Sequence, residues 1–208
     1  MEAEIVGFDR DWWRKVTWYP MLLAPLVVGA SVATSVVRPV WFQGLQVWLE
    51  EPAPYLVGAA AAIYAARAVW TFNPLYLIVA ILGAALTCRE IHFPGTSRGL
   101  YVAIGLLAGW AVASRGRLYG PLGDWRHTSW LLATMAAYFL SQVVARRAFK
   151  FIPGEHHIHR SLEECAETAA HAMFIVAALV GNWRRYGRRA AAVGRPATDS
   201  PPSAEDAG

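Results

Sequence analysis

Charge is what this chain has little of. Charged side chains make up 16% of its 208 residues, against about 25% in an average soluble domain. Carboxylates are scarcest in the middle, where Glu90 and Asp124 are the only acids between Pro52 and Gly154. A soluble domain does not cover so long a stretch of surface with two carboxylates, whereas a surface facing lipid needs few. Cysteine is scarce too. Cys88 and Cys165 cannot build a disulfide framework; either they bridge the third and sixth apolar segments or they stay free thiols. There is no G-x-S-x-G, P-loop, dinucleotide fingerprint or H-E-x-x-H. No internal repeat is visible, which argues against a transporter built from inverted halves.

What the chain has in abundance is apolar residues, at 56%, and tryptophan, at ten. This composition excludes a disordered chain, a coiled coil and a small disulfide scaffold. A spanning helix needs about 20 mostly apolar residues. Six segments approach that: Thr17 to Val37, Pro54 to Phe72, Pro74 to Cys88, Gly99 to Ser114, Thr128 to Ala145 and Ser161 to Trp183. The fold class expected is therefore all-α, a polytopic integral membrane helix bundle of about six transmembrane helices. It occupies residues 17–183, between an N-terminal segment (1–16) and a basic, then disordered tail (184–208).

Local signals mark the boundaries. Asn73-Pro74 reads as a helix cap followed by a first-turn proline. Pro94-Gly95, Gly120-Pro121 and Pro153-Gly154 read as breaks, with Thr96 or Ser97 free to cap the fourth span. Trp18, Trp70, Trp125, Trp130 and Trp183 fall near span ends, as an aromatic belt requires. Trp41 to Leu49 is amphipathic and too short to span, so it reads as interfacial. The leader MEAEIVGFDRDWWRK carries four acids and two tryptophans. That is a poor signal-peptide n-region, so the first span is expected to be uncleaved.

The net charge of +4 raises nucleic acid as a partner, but the arginines sit at the ends of apolar runs. Membrane topology explains them better, and no nucleic acid is expected. With six spans, 12 Lys/Arg fall on the side of the termini and seven on the other. The positive-inside rule then makes both termini cytoplasmic in a multi-pass plasma or inner membrane. Arg67 is expected to snorkel to the headgroups. The Arg184-Arg185-x-x-Arg188-Arg189 cluster is expected to rest on anionic lipid. A protein partner or a second copy is compatible with the sequence but not indicated by it.

The polar chemistry collects on the extracytoplasmic side. His92 follows the third span; His156, His157 and His159 fill the fifth-to-sixth loop; His171 lies inside the sixth span. At about 100° per residue, Glu167, Arg160, His171 and Glu164 fall within about 100° of Glu163. A stripe this narrow should face the bundle interior. For Glu163 and Glu164 a plainer reading competes, because Ser161-x-x-Glu164 fits a capping box. It does not reach His171, which lies about 15 Å along the axis from Ser161. Arg89 and Glu90 have a plain reading as well, as the interfacial end of a short span.

Three functions are compatible with these residues. The first is an integral membrane protein of undetermined activity, in which the Glu/His stripe orders the bundle, handles protons or binds a partner. Arg89, His156, His157, His159, Glu163 and Glu164 belong to that polar site. The second is a metal-dependent hydrolase whose ligands are Glu90, His92, Glu167 and His171. Imidazole with carboxylate suits a divalent ion such as zinc, or iron. The third is a b-type haem held by His92 and His171. Cys165 points about 160° from Glu167 and does not join these ligands.

Overall fold

The computed structural model describes residues 16–91, 96–148, 150 and 155–183, all helix, turn or coil with no strand among them. A 3-10 turn over Tyr19–Leu22 leads into α1 (Leu23–Val37), followed by α2 (Pro39–Glu50), α3 (Ala53–Thr71) and α4 (Pro74–Glu90). Then come α5 (Thr96–Ala113), α6 (Arg115–Leu122), α7 (Trp125–Ala145) and α8 (Glu155–Leu179). The six apolar segments correspond to α1, α3, α4, α5, α7 and α8, and the amphipathic stretch to α2. Residues 1–15 of the N-terminal segment and the basic tail lie outside the described residues.

The α3–α4 hairpin shows how local chemistry sets the boundaries. Phe72 closes α3 in the left-handed region at φ 53°. Asn73 then caps α4, its Oδ1 accepting from Leu75 N at 2.9 Å, with Pro74 at the first position. The two helices cross closely because Gly83 has no side chain. A Cβ there would lie 2.9 Å from Ala61 Cβ and 3.0 Å from Phe174 Cε1. Small residues at helix crossings do this work in membrane bundles.

Helix α8 is the hub, packing on α7, α3, α2 and α1. Leu162 and Ala166 meet Val28 of α1 and Val144 of α7, and Ala170 and Met173 continue that face toward Ala133 and Ala137. Phe174 and Ala178 turn toward Val57, Tyr64 and Tyr76.

Four expectations are corrected here. His156, His157 and His159 are not in a loop but in the first turns of α8, and Ser161 lies inside that helix rather than capping it. The reason is packing: Ile158 and Cys165, two turns apart, rest on Phe42 of α2. That contact carries the helical period back toward the Pro153-Gly154 break. Gly120-Pro121 stands in the last turn of α6 rather than between helices. Arg67 does not snorkel; it is fully buried.

Among the described residues, two helical stretches are long and apolar enough to cross a bilayer, Tyr19–Val37 and Trp125–Ala145, and only 28% and 44% of them is buried. The other expected spans fall short of that measure. Helix α3 carries Arg67, α4 has 17 residues, and α8 concentrates charge in its first half. Large apolar side chains stand on the outside of α1, α3, α5 and α7, among them Leu26, Val36, Tyr55, Val69, Leu106, Val112 and Phe139. Trp18, Trp70, Trp125 and Trp183 are exposed as well. Cys88 and Cys165 are free thiols, the first exposed and the second buried.

Candidate functional site

The end of α4 and the middle of α8 bring Glu90, Glu167 and His171 together. One ligand atom from each lies within 4.8 Å of the others. Glu167 is buried, and His171 is inaccessible to solvent. Arg89, the neighbour of Glu90, places Nη1 3.0 Å from Glu167 Oε1. The ring of Tyr138 on α7 covers His171 with centroids 5.6 Å apart.

Helical spacing explains the convergence. Glu167 and His171 are one turn apart and share a face. Arg89 and Glu90 close the last turn of α4, and as consecutive residues they diverge by about 100°. Arg89 reaches Glu167, while Glu90 approaches both α8 ligands.

Both ring nitrogens of His171 are buried without a hydrogen-bond partner, as is the Tyr138 hydroxyl. A buried polar group left unpaired costs about 1–3 kcal/mol, so a second unsatisfied nitrogen on one ring is costly. One nitrogen of a neutral imidazole carries a free lone pair, and one ring nitrogen of His171 lies within 4.8 Å of a carboxylate oxygen of both Glu90 and Glu167. Bonds of about 2.1 Å to one ion need the three donors drawn closer than the 4.8 Å within which they lie, which the two glutamate side chains would have to supply.

The other expected site residues divide. His92 lies outside the described residues, so neither its place among the ligands nor a haem pairing with His171 bears on this geometry. His156 and His157 are exposed on the first turn of α8, with ring centroids 3.8 Å apart. His159 faces Glu163 across one turn at 3.8 Å. Arg160 reaches outward to Glu50 of α2 at 3.0 Å. Glu163 and Glu164 are half-buried beside the site. None of these histidines joins the metal-competent group of the described residues.

Sequence reasoning missed Tyr138, although Thr134, Tyr138 and Ser141 form a polar line at helical spacing on an apolar helix. It also missed a second polar cluster at the opposite end. There Arg67 Nη1 donates to the carbonyls of Ala178 at 2.9 Å and Val180 at 2.8 Å, and Nη2 donates to Tyr76 Oη at 3.2 Å. Tyr64 Oη meets His127 Nε2 at 3.2 Å. Asp124 Oδ2 accepts from Asn182 N at 2.6 Å. The signal was Arg67 itself, because a charge within an apolar span faces the bundle interior by default.

A stack of rings separates the two clusters. Tyr64 packs on Phe174 at 5.3 Å, and Phe174 packs on Tyr138 at 6.4 Å.

No family model, curated protein or solved structure matches the chain. A functional reading therefore stands on the site's own chemistry.

Proposed function

We propose that the chain is a six-span membrane protein that holds one divalent metal ion at Glu90, Glu167 and His171, where it activates water for hydrolysis. The observation that carries this reading is the solvent-inaccessible His171, with neither ring nitrogen hydrogen-bonded, set against two carboxylates. A divalent ion would satisfy the imidazole and offset both carboxylate charges at once. The donor set of one imidazole and two carboxylates suits zinc or iron. Three protein ligands leave a coordination position open, as catalytic rather than structural zinc sites do. An ion there would lower the pKa of its water toward about 7. Arg89 places a fixed positive charge beside Glu167, where it can hold an anionic oxygen that develops during attack.

The membrane half of the reading is supported by the surface. Soluble monomers rarely expose contiguous apolar patches beyond a few hundred Å². Here only 28% of Tyr19–Val37 and 44% of Trp125–Ala145 is buried, and Leu26, Val36 and Phe139 stand exposed along them. Helices α2 and α6 then lie at the two faces, and the 12-to-7 bias in Lys/Arg sets both termini in the cytoplasm. Reporter fusions placed at His157 and at the C-terminus should report opposite sides. Finding both on one side removes the six-span arrangement.

A second reading has its own observation. The Arg89–Glu167 ion pair at 3.0 Å is what a polar site that orders the bundle or relays protons would contain. Metal analysis of purified protein separates the two. The metal reading expects one tightly held ion per chain, lost in both Glu167→Ala and His171→Ala. No metal in the wild type, with variants that are merely less stable, favours the bundle-ordering site.

A further inference from the structure

Beside the Glu/His cluster, a cavity of about 700 Å³ lies between α4, α5, α7 and α8. Its volume is that of a small-molecule pocket, roughly 300–1,000 Å³. Its lining is sorted by position. The inner walls are apolar, with Leu82, Leu86, Leu100 and Phe174 among them, while Arg89, Gln142, Arg146 and Glu163 stand together at one end. On α7 the lining runs from Thr134 to Arg146, about 18 Å at 1.5 Å per residue. The side is open: Tyr101, Ile104 and Phe139 belong to the lining and are themselves exposed.

We infer that this cavity binds an acyl-chain amphiphile with an anionic headgroup, the chain entering between α5 and α7 and the headgroup resting on Arg146. The end of α7 sets the sign of the headgroup, because Arg146, Arg147 and Lys150 are all exposed there. Arg89 is already answered by Glu167 at 3.0 Å. Arg146 is exposed and has no ion pair among the described residues. The elongated, apolar-walled shape fits a hydrocarbon chain, and an opening on the bilayer-facing side admits one without crossing water. The inference rests on the membrane reading and not on the metal. If the metal reading also holds, Arg89 and Tyr138, which line the cavity and adjoin the Glu/His cluster, set the headgroup beside the reacting centre as substrate.

The test uses the full chain in phosphatidylcholine nanodiscs, with spin-labelled stearate as probe and chelator present. A saturable immobilised component in the resonance spectrum is expected, and it should be absent with spin-labelled phosphatidylcholine. Ile104→Trp, at the mouth, should abolish it. Arg146→Gln, at an exposed position that leaves the fold intact, should weaken binding by about fivefold, the factor one basic residue contributes toward an anionic lipid. A signal that never saturates, or one that neither variant changes, overturns the inference. Saturable binding in chelated protein upholds it even if metal analysis finds no ion. Failure of the chain to enter nanodiscs at all would count against the membrane reading and, with it, this inference.

Discussion

At one end of the bundle Arg67 is fully buried and its guanidinium meets the carbonyls of Ala178 and Val180 and the Tyr76 hydroxyl. At the other end Arg89 is partly exposed and makes one ion pair, while His171 is sealed in with neither nitrogen satisfied. Both ends hold an arginine and a histidine whose ring packs on a tyrosine, but they use them differently. The last four carbonyls of a helix have no partner within it. Arg67 supplies donors to that end of α8, so its charge completes the backbone. The Glu90–Glu167–His171 end instead leaves ligand atoms within 4.8 Å of one another. The first arrangement holds the fold together; the second is costly to it, and that cost is what suggests a ligand.

The sharpest way to break the comparison is to remove Arg67. Arg67→Met keeps much of the stem that packs near Tyr76 and Trp183 (4.4 and 5.1 Å from the guanidinium carbon to the ring centroids). It strands two or more buried acceptors, each worth about 1–3 kcal/mol. The expected loss is about 3–5 kcal/mol, read from reversible unfolding in mixed micelles. A loss below about 1 kcal/mol would mean that water reaches these carbonyls and that the cage is not structural.

Gly181 tests the same cage through the backbone. It sits at φ +96°, and a Cβ there would come within 2.7 Å of His127 Cβ and 3.0 Å of Asp124 Oδ2. Gly181→Ala must therefore strain the backbone or push His127 off Tyr64, at a cost of about 1–3 kcal/mol. The same unfolding assay should place it below Arg67→Met. If the alanine variant is as stable as the parent, the approach of α7 to the end of α8 is looser than these distances.

How much of this was legible beforehand differs between the two ends. The Glu/His stripe could be read because its residues share one helix, and the period of one helix can be computed from sequence. Glu90 could be added because connections on one side of a bundle share a face. Tyr138 and the Arg67 cage escaped because they depend on which helices touch, and the apolar surfaces of α3, α4 and α7 look alike in sequence. The start of α8 was misplaced for a related reason. Charged and histidine residues look like loop, while the buried positions Ile158 and Cys165 declare themselves only once Phe42 is seen against them.

A smaller effect belongs to Asn73, which serves the turn beside the cage. Its Oδ1 caps α4, and its Nδ2 donates to Arg117 O of α6 at 3.0 Å. Asn73→Ala should cost about 1–2 kcal/mol. Asn73→Asp keeps the capping acceptor but loses the donor to α6, so it should recover part of that loss. Equal losses in the two variants would locate the whole contribution in the α6 contact.

The smallest effect on stability is expected where the chemistry is most conspicuous. His171→Leu replaces a buried ring that has no hydrogen bond with an apolar side chain of similar bulk. Removing unsatisfied polar atoms offsets the loss of ring packing on Tyr138. In chelated protein the variant should unfold within about 1 kcal/mol of the parent. Adding zinc should then separate the two. An ion at a hundredfold excess over its dissociation constant stabilises the protein that binds it by about 2.7 kcal/mol, so the parent should gain and the variant should not. A loss in chelated protein comparable to that of Arg67→Met would show that His171 has structural partners. The two ends of the bundle would then be variations on one structural device, and the argument for a ligand at Glu90, Glu167 and His171 would fail.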